Sequence, residues 1–93
     1  MIGSFKCKET KLIWNGIRSR KFPTNMQSRA LRKLRQLNAA FAVNDLKNPP
    51  GNKLEVLKGD RSKQMSIRIN DKWRICFIWD RGDVDQVEII DYH

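Results

Sequence analysis

The run Asn48-Pro49-Pro50-Gly51-Asn52 divides the chain into halves that cannot share one kind of secondary structure. Two consecutive prolines fix φ and remove two backbone donors, so neither a helix nor a central strand passes through them. Before the break, Ala30, Leu31, Leu34, Leu37 and Phe41 recur at helical spacing behind Thr24, a candidate N-cap. After it, apolar and polar residues alternate. Residues 8–14 read as a shorter helix ended by Gly16, residues 17–23 as a basic linker, and residues 2–5 as a short first strand. Further strands are expected at 53–57, 64–69, 73–79 and 84–91, the last after a turn at 80–83. This order predicts an α+β domain, with an N-terminal strand and two helices packed on one face of a mostly antiparallel sheet.

Ninety-three residues supply one modest core, so a single domain over residues 1–93 is expected. Nineteen Lys and Arg against ten Asp and Glu leave a net charge of +9, which points to a partner rich in negative charge. Nucleic acid leads, and an acidic membrane surface is the rival. No apolar run exceeds five residues, the length of 75–79, whereas a span needs about 20 residues, so no membrane partner is expected. Lys6, Lys8 and Lys11 occupy the place where a secretory signal would need an apolar stretch, which favours the cytoplasm. Cys7, Cys76 and the lone His93 do not make a zinc set; neither metal nor cofactor is expected, and both thiols read as reduced, packed residues. Arg29, Arg32, Lys33 and Arg35 give the long helix a basic side. Charge alone does not separate a solvated face from one that contacts RNA or a protein partner.

A register argument singles out two of the arginines. Met65, Ile67 and Ile69 share one face of their strand, and Trp73, Ile75, Phe77 and Trp79 share one face of the next. A two-residue loop, Asp71-Lys72, would set Ile69 opposite Arg74 and turn one apolar set to the wrong side. A three-residue loop over 70–72 pairs Ile69 with Trp73, Ile67 with Ile75 and Met65 with Phe77, and it places Arg68 opposite Arg74. Like charges facing each other across a sheet cost up to about 1 kcal/mol, so an anion is expected between them. An internal carboxylate such as Asp91 or Glu88 would serve, as would a phosphate, which arginine's planar fork grips at two points. The net charge favours the phosphate.

Four blocks carry a family resemblance: Leu57-Lys58-Gly59-Asp60-Arg61, Ser66-Ile67-Arg68-Ile69-Asn70, Trp73-Arg74-Ile75-Cys76-Phe77 and Val87-Glu88-Ile89-Ile90-Asp91-Tyr92-His93. In this order and spacing they resemble the HigB toxins of the RelE/ParE-like superfamily of type II toxin–antitoxin systems. The similarity runs over nearly the whole chain and is strongest after Asn48. "LKGDR" alone would pass for an ordinary turn, but four blocks in order, with the terminal "DYH", are specific.

The resemblance implies a RelE-like fold and an endoribonuclease that enters the ribosomal A site, cuts mRNA without a metal and so inhibits translation. It also implies a HigA-type helix-turn-helix antitoxin that binds the toxin and represses the shared operon, so operator DNA is met only through the complex. In this family the RNA 2′-hydroxyl attacks the neighbouring phosphate, which requires a proton acceptor, a proton donor and positive charge around the phosphoryl oxygens. Carried over by motif, the site comprises Lys58 and Arg61 of "LKGDR", Arg74 of "WRICF", and Asp91, Tyr92 and His93 of the last block; Arg68 joins them by register. Lys58, Arg61, Arg68 and Arg74 are the phosphate-binding candidates. An unperturbed imidazole changes charge near neutrality, so His93 suits a general acid or base, Asp91 either holds it or accepts a proton, and Tyr92 stacks on a base or joins proton transfer.

One position departs from the family pattern: some HigB toxins have a histidine three residues before the lysine of "LKGDR", where this chain has Glu55. Either Glu55 takes over as base, or it is a solvated strand residue and His93 acts alone. A non-catalytic RNA- or ribosome-binding protein would share the charge and size. A DNA-binding regulator acting alone is disfavoured, because no helix pair with a short turn precedes a recognition helix.

Overall fold

The computed structural model describes residues 1–59 and 63–91. Helix α1 spans Lys8–Trp14 and helix α2 spans Thr24–Ala39. Two short 3-10 turns, Val43–Lys47 and Pro50–Asn52, carry the chain through the proline break. Four antiparallel strands follow, β1 at Glu55–Val56, β2 at Met65–Arg68, β3 at Trp73–Asp80 and β4 at Asp83–Asp91, and they lie in sequence order across one sheet. The architecture is the α+β arrangement expected from the order of the periodicities.

The core lies between α2 and one face of the sheet. Met26, Ala30, Leu34 and Leu37 form the buried stripe of α2, and they meet Ile67, Ile75, Phe77, Val87 and Ile89. Helix α1 is tied to β4 by the buried Thr10, whose hydroxyl accepts the Ile89 N–H at 3.0 Å. Between the helices, Phe22 packs edge-on against Trp73. Both cysteines are free thiols, with Cys76 fully buried and Cys7 partly so.

Three details differ from the sequence reading. Residues 2–5 do not form a strand; Ile2 and Phe5 make isolated parallel bridges to Val84 and Val87 along the outer edge of β4. Thr24 is the first residue of α2 rather than its cap, and its hydroxyl accepts a hydrogen bond from Arg18 Nη2 at 2.8 Å. Phe41 continues the helical period on paper, but α2 ends at Ala39 and Phe41 is 93% exposed.

Strand β4 also carries a bulge. Cys76 faces Glu88, but Ile78 faces Asp85, so Gln86 and Val87 together oppose Phe77. Gln86 takes a positive φ of 52° there. This extra residue lets Val84 and Val87, an odd number of positions apart, both face the core.

The proline break is held by a buried amide. Asn52, fully buried, donates through Nδ2 to the carbonyls of Leu46 and Asn48 at 3.1 and 3.2 Å and to Gln36 Oε1 at 3.2 Å. Backbone acceptors that no helix or sheet would satisfy are therefore paired.

The end of α2 provides a test of this packing. Leu37→Ala removes a fully buried side chain and should cost about 2–5 kcal/mol. Phe41→Ser should stay within about 0.5 kcal/mol of the wild type. Urea unfolding of both variants checks the assignment; a large loss from Phe41→Ser would contradict it.

Candidate active site

The β2–β3 register follows from burying the apolar face. Met65 pairs with Phe77, Ile67 with Ile75 and Arg68 with Arg74, while Ile69 N donates to Trp73 O at 2.9 Å. The loop over 70–72 is closed by Asn70, whose Oδ1 accepts the N–H groups of Lys72 and Trp73, each at 2.9 Å. The two arginines thus sit on the face opposite the core. Glu55 pairs with Ser66 in β1, and Ser66 with Cys76, so Glu55 and Ser66 share that face.

Arg74 is 5% exposed. Its Nε donates to Ser66 Oγ at 2.8 Å, and its Nη2 donates to the carbonyls of Ser66, at 3.2 Å, and of Lys53. Lys53 is left-handed, with φ 43° and ψ 58°, at the exit from the proline break. A guanidinium gripped along one edge by Ser66 and Lys53 has little rotational freedom, which fixes the position of its charge. Arg68 is half-buried and pairs with Asp71 in the loop. That carboxylate is a loop residue the sequence reading did not select. Of the two it named, Glu88 lies 3.8 Å from Lys6 Nζ and Asp91 lies 3.7 Å from Lys72 Nζ.

Two depressions open on this side of the sheet. One, of about 270 Å³, is lined by Lys53, Glu55, Arg68, Asn70, Asp71 and Arg74. The other, of about 400 Å³, is lined by Glu55, Val56, Leu57 and Lys58. Glu55 belongs to both and stands between the paired arginines and the exposed Lys58. A carboxylate flanked by cations can accept a proton while the cations hold an anionic substrate.

The structure therefore brings Glu55, Lys58, Arg68 and Arg74 to one surface. Asp91 pairs with Trp73 at the end of β4, one residue past the Arg74–Ile90 pair, so the alternation sets it on the core side of the sheet rather than beside Arg74. Arg61, Tyr92 and His93 lie outside the described residues. Sequence reasoning missed Ser66 and the Lys53 carbonyl as the groups that seat Arg74. The signal for Ser66 was present in the register, since it is the diagonal neighbour of Arg74 on the same face. Nothing in the residue type of Lys53 announces that its carbonyl is used.

Comparison with known proteins bears on what this surface serves. The family model described as a RelE-like toxin of type II toxin–antitoxin system HigB matches residues 4–93. Over 65 residues the chain is 42% identical to a protein named Toxin HigB-1 from Vibrio cholerae serotype O1, covering 70% of this chain and 68% of that one. It is 34% identical over 93 residues to a protein named Endoribonuclease HigB from Proteus vulgaris, covering 100% of both. The chain belongs to the HigB-like family of RelE-like toxins of type II toxin–antitoxin systems.

Proposed function

We propose that the chain is a single-domain endoribonuclease that cuts mRNA in the ribosomal A site of the cytoplasm, halts translation, and is neutralised by a HigA-type helix-turn-helix antitoxin. The observation that carries the reading is the facing pair Arg68 and Arg74, set beside Glu55 on an open face of the sheet. The name of the Proteus vulgaris relative supports ribonuclease activity. Family membership itself implies an antitoxin partner, and operator DNA is then reached only as part of the toxin–antitoxin complex.

The chemistry runs through the substrate's own 2′-hydroxyl. A base, Glu55 or His93, removes its proton, and the oxygen attacks the adjacent phosphorus. The bond to the 5′-oxygen of the next nucleotide breaks, and an acid returns a proton to that oxygen. Arg74 and Arg68, with Lys58 and Arg61, offset the negative charge that gathers on the phosphoryl oxygens. Because the nucleophile belongs to the RNA, no metal-bound water is required. Tyr92 stacks on a base or shares in proton transfer, whereas the position of Asp91 on the other side of the sheet leaves it at most an orienting role toward the end of the chain.

The site is rich in cations and poor in strong acid–base groups, so the ribosome is expected to supply much of the positioning. Purified protein should cleave mRNA on programmed ribosomes and leave the same mRNA nearly intact when naked; equal cleavage of both would refute this.

Arg74→Lys keeps a charge but loses the planar fork held by Ser66 and Lys53. It should lower cleavage by at least about tenfold, and Arg68→Ala should have a smaller effect. Circular dichroism and thermal unfolding accompany the assay, because unfolding of both variants would make the arginines a structural cluster instead.

Deleting His93 should remove toxicity while leaving folding and antitoxin binding in place. Positioned acid–base groups contribute about 10²- to 10⁴-fold to rate. Growth, soluble yield and capture by the antitoxin are measured together on induction, and full toxicity of the shortened chain would leave Glu55 as the base.

A further inference from the structure

A further pocket, of about 360 Å³, lies between α2, the proline break and the end of β2, lined by Arg29, Arg32, Lys33, Gln36, Gly51, Arg68 and Ile69. Its described lining holds four cationic side chains and no carboxylate. Arg29, Arg32 and Lys33 are three and four positions apart on one helix, a spacing at which like charges repel. Burial, reinforced by Arg32 and Arg29, holds the Lys33 ammonium below the usual lysine range. Among the described residues Arg32 makes no ion pair.

The pocket is also preformed. Lys33 Nζ donates to Asn52 Oδ1, and the Asn52 amide is anchored to the Leu46 and Asn48 carbonyls. Gln36 Nε2 donates to the Asn48 carbonyl. Arg29 Nη1 reaches the Ile69 carbonyl at 3.5 Å. Cations held in place by the fold lose little freedom when an anion arrives.

Arg68 lines this pocket and also the depression over Arg74. We propose that the α2 pocket binds a backbone phosphate of the RNA strand being cut, adjacent to the scissile phosphate, so that the strand crosses Arg68 on its way from Arg74 to α2. This rests on the ribonuclease reading above. A single RNA strand presents phosphates at regular intervals, so one held at Arg74 carries its neighbours along the surface, and Arg29 and Arg32 offer forks that match phosphate oxygens.

Gly51 gives a means of testing the pocket without disturbing the fold. A Cβ built there meets nothing within 4 Å, so Gly51→Glu introduces a carboxylate at the pocket wall, and Gly51→Ala is the control. The companion variant is Arg29→Gln with Arg32→Gln, two helix positions that line the pocket outside the buried stripe of α2. The probe is a short oligoribonucleotide with 2′-O-methyl groups, which cannot be cleaved, titrated at several salt concentrations. A second probe replaces the phosphate next to the cleavage position by a neutral methylphosphonate.

Gly51→Glu and the double variant should each weaken binding by about tenfold or more, and the double variant should reduce the salt slope by about 0.7 for each phosphate it no longer neutralises. Gly51→Ala should bind as the wild type does. The methylphosphonate should weaken wild-type binding and add little to the loss in either pocket variant. Absence of probe binding by the wild type, or unchanged affinity in the variants, overturns the proposal. So does a loss confined to vacant ribosomes, which would assign the pocket to ribosomal RNA, or to antitoxin capture, which would assign it to an acidic protein segment. Cleavage on programmed ribosomes is scored separately. Its absence refutes the nuclease reading, whereas intact cleavage with unchanged probe binding refutes only the pocket.

Discussion

The pairing of β2 with β3 is the constraint on which the rest of the molecule depends. Burying Ile67, Ile75 and Phe77 on one face is worth about 1.5–3 kcal/mol for each side chain. Setting two arginines opposite each other costs no more than about 1 kcal/mol. The hydrophobic term decides the register, and Arg68 and Arg74 are brought face to face as a consequence. The core thereby determines the charge pattern of the outer face, and the facing of the two arginines follows from packing.

Holding a guanidinium at 5% exposure requires acceptors, and the fold supplies them from two directions. Ser66 comes from the neighbouring strand and Lys53 from the exit of the proline break. The same break delivers Asn52 to Lys33. One irregular segment thus orients cations on both sides of the sheet edge, which explains how a chain of 93 residues arranges so much positive charge without a larger scaffold. Loops placed by a rigid framework commonly carry function in this way.

The elements with strong periodicity were legible in the sequence: α1, the body of α2, β3, and the β2–β3 register with its arginine pair. Phe41 misled because periodicity continues past the point where the backbone turns, and an apolar residue at the right spacing does not reveal where a helix ends. Residues 2–5 read as a strand because their alternation is right, but they make bridges only at Ile2 and Phe5. The bulge at Gln86 was invisible because β-pattern arguments assume an unbroken period of two. On the candidate face, the facing of Arg68 and Arg74 was readable. The groups that seat Arg74 were less so, because a backbone carbonyl has no sequence signature and a serine on a strand has many uses. The pairing of Arg68 with Asp71 depends on loop geometry that the sequence does not encode locally.

The bridges at the chain's start close one side of the sheet. Gly3 N and Lys6 N donate to the Val84 and Val87 carbonyls at 2.8 and 3.0 Å, and Val84 N and Val87 N donate back to the carbonyls of Met1 and Ser4 at 3.0 and 3.2 Å. The opposite side ends in β1, a strand of two residues. Fibril-like stacking between copies needs segments of about six or seven residues with free backbone groups. Among the described residues neither edge of the sheet offers one. Pairing of two copies strand against strand therefore finds no long template along the described sheet.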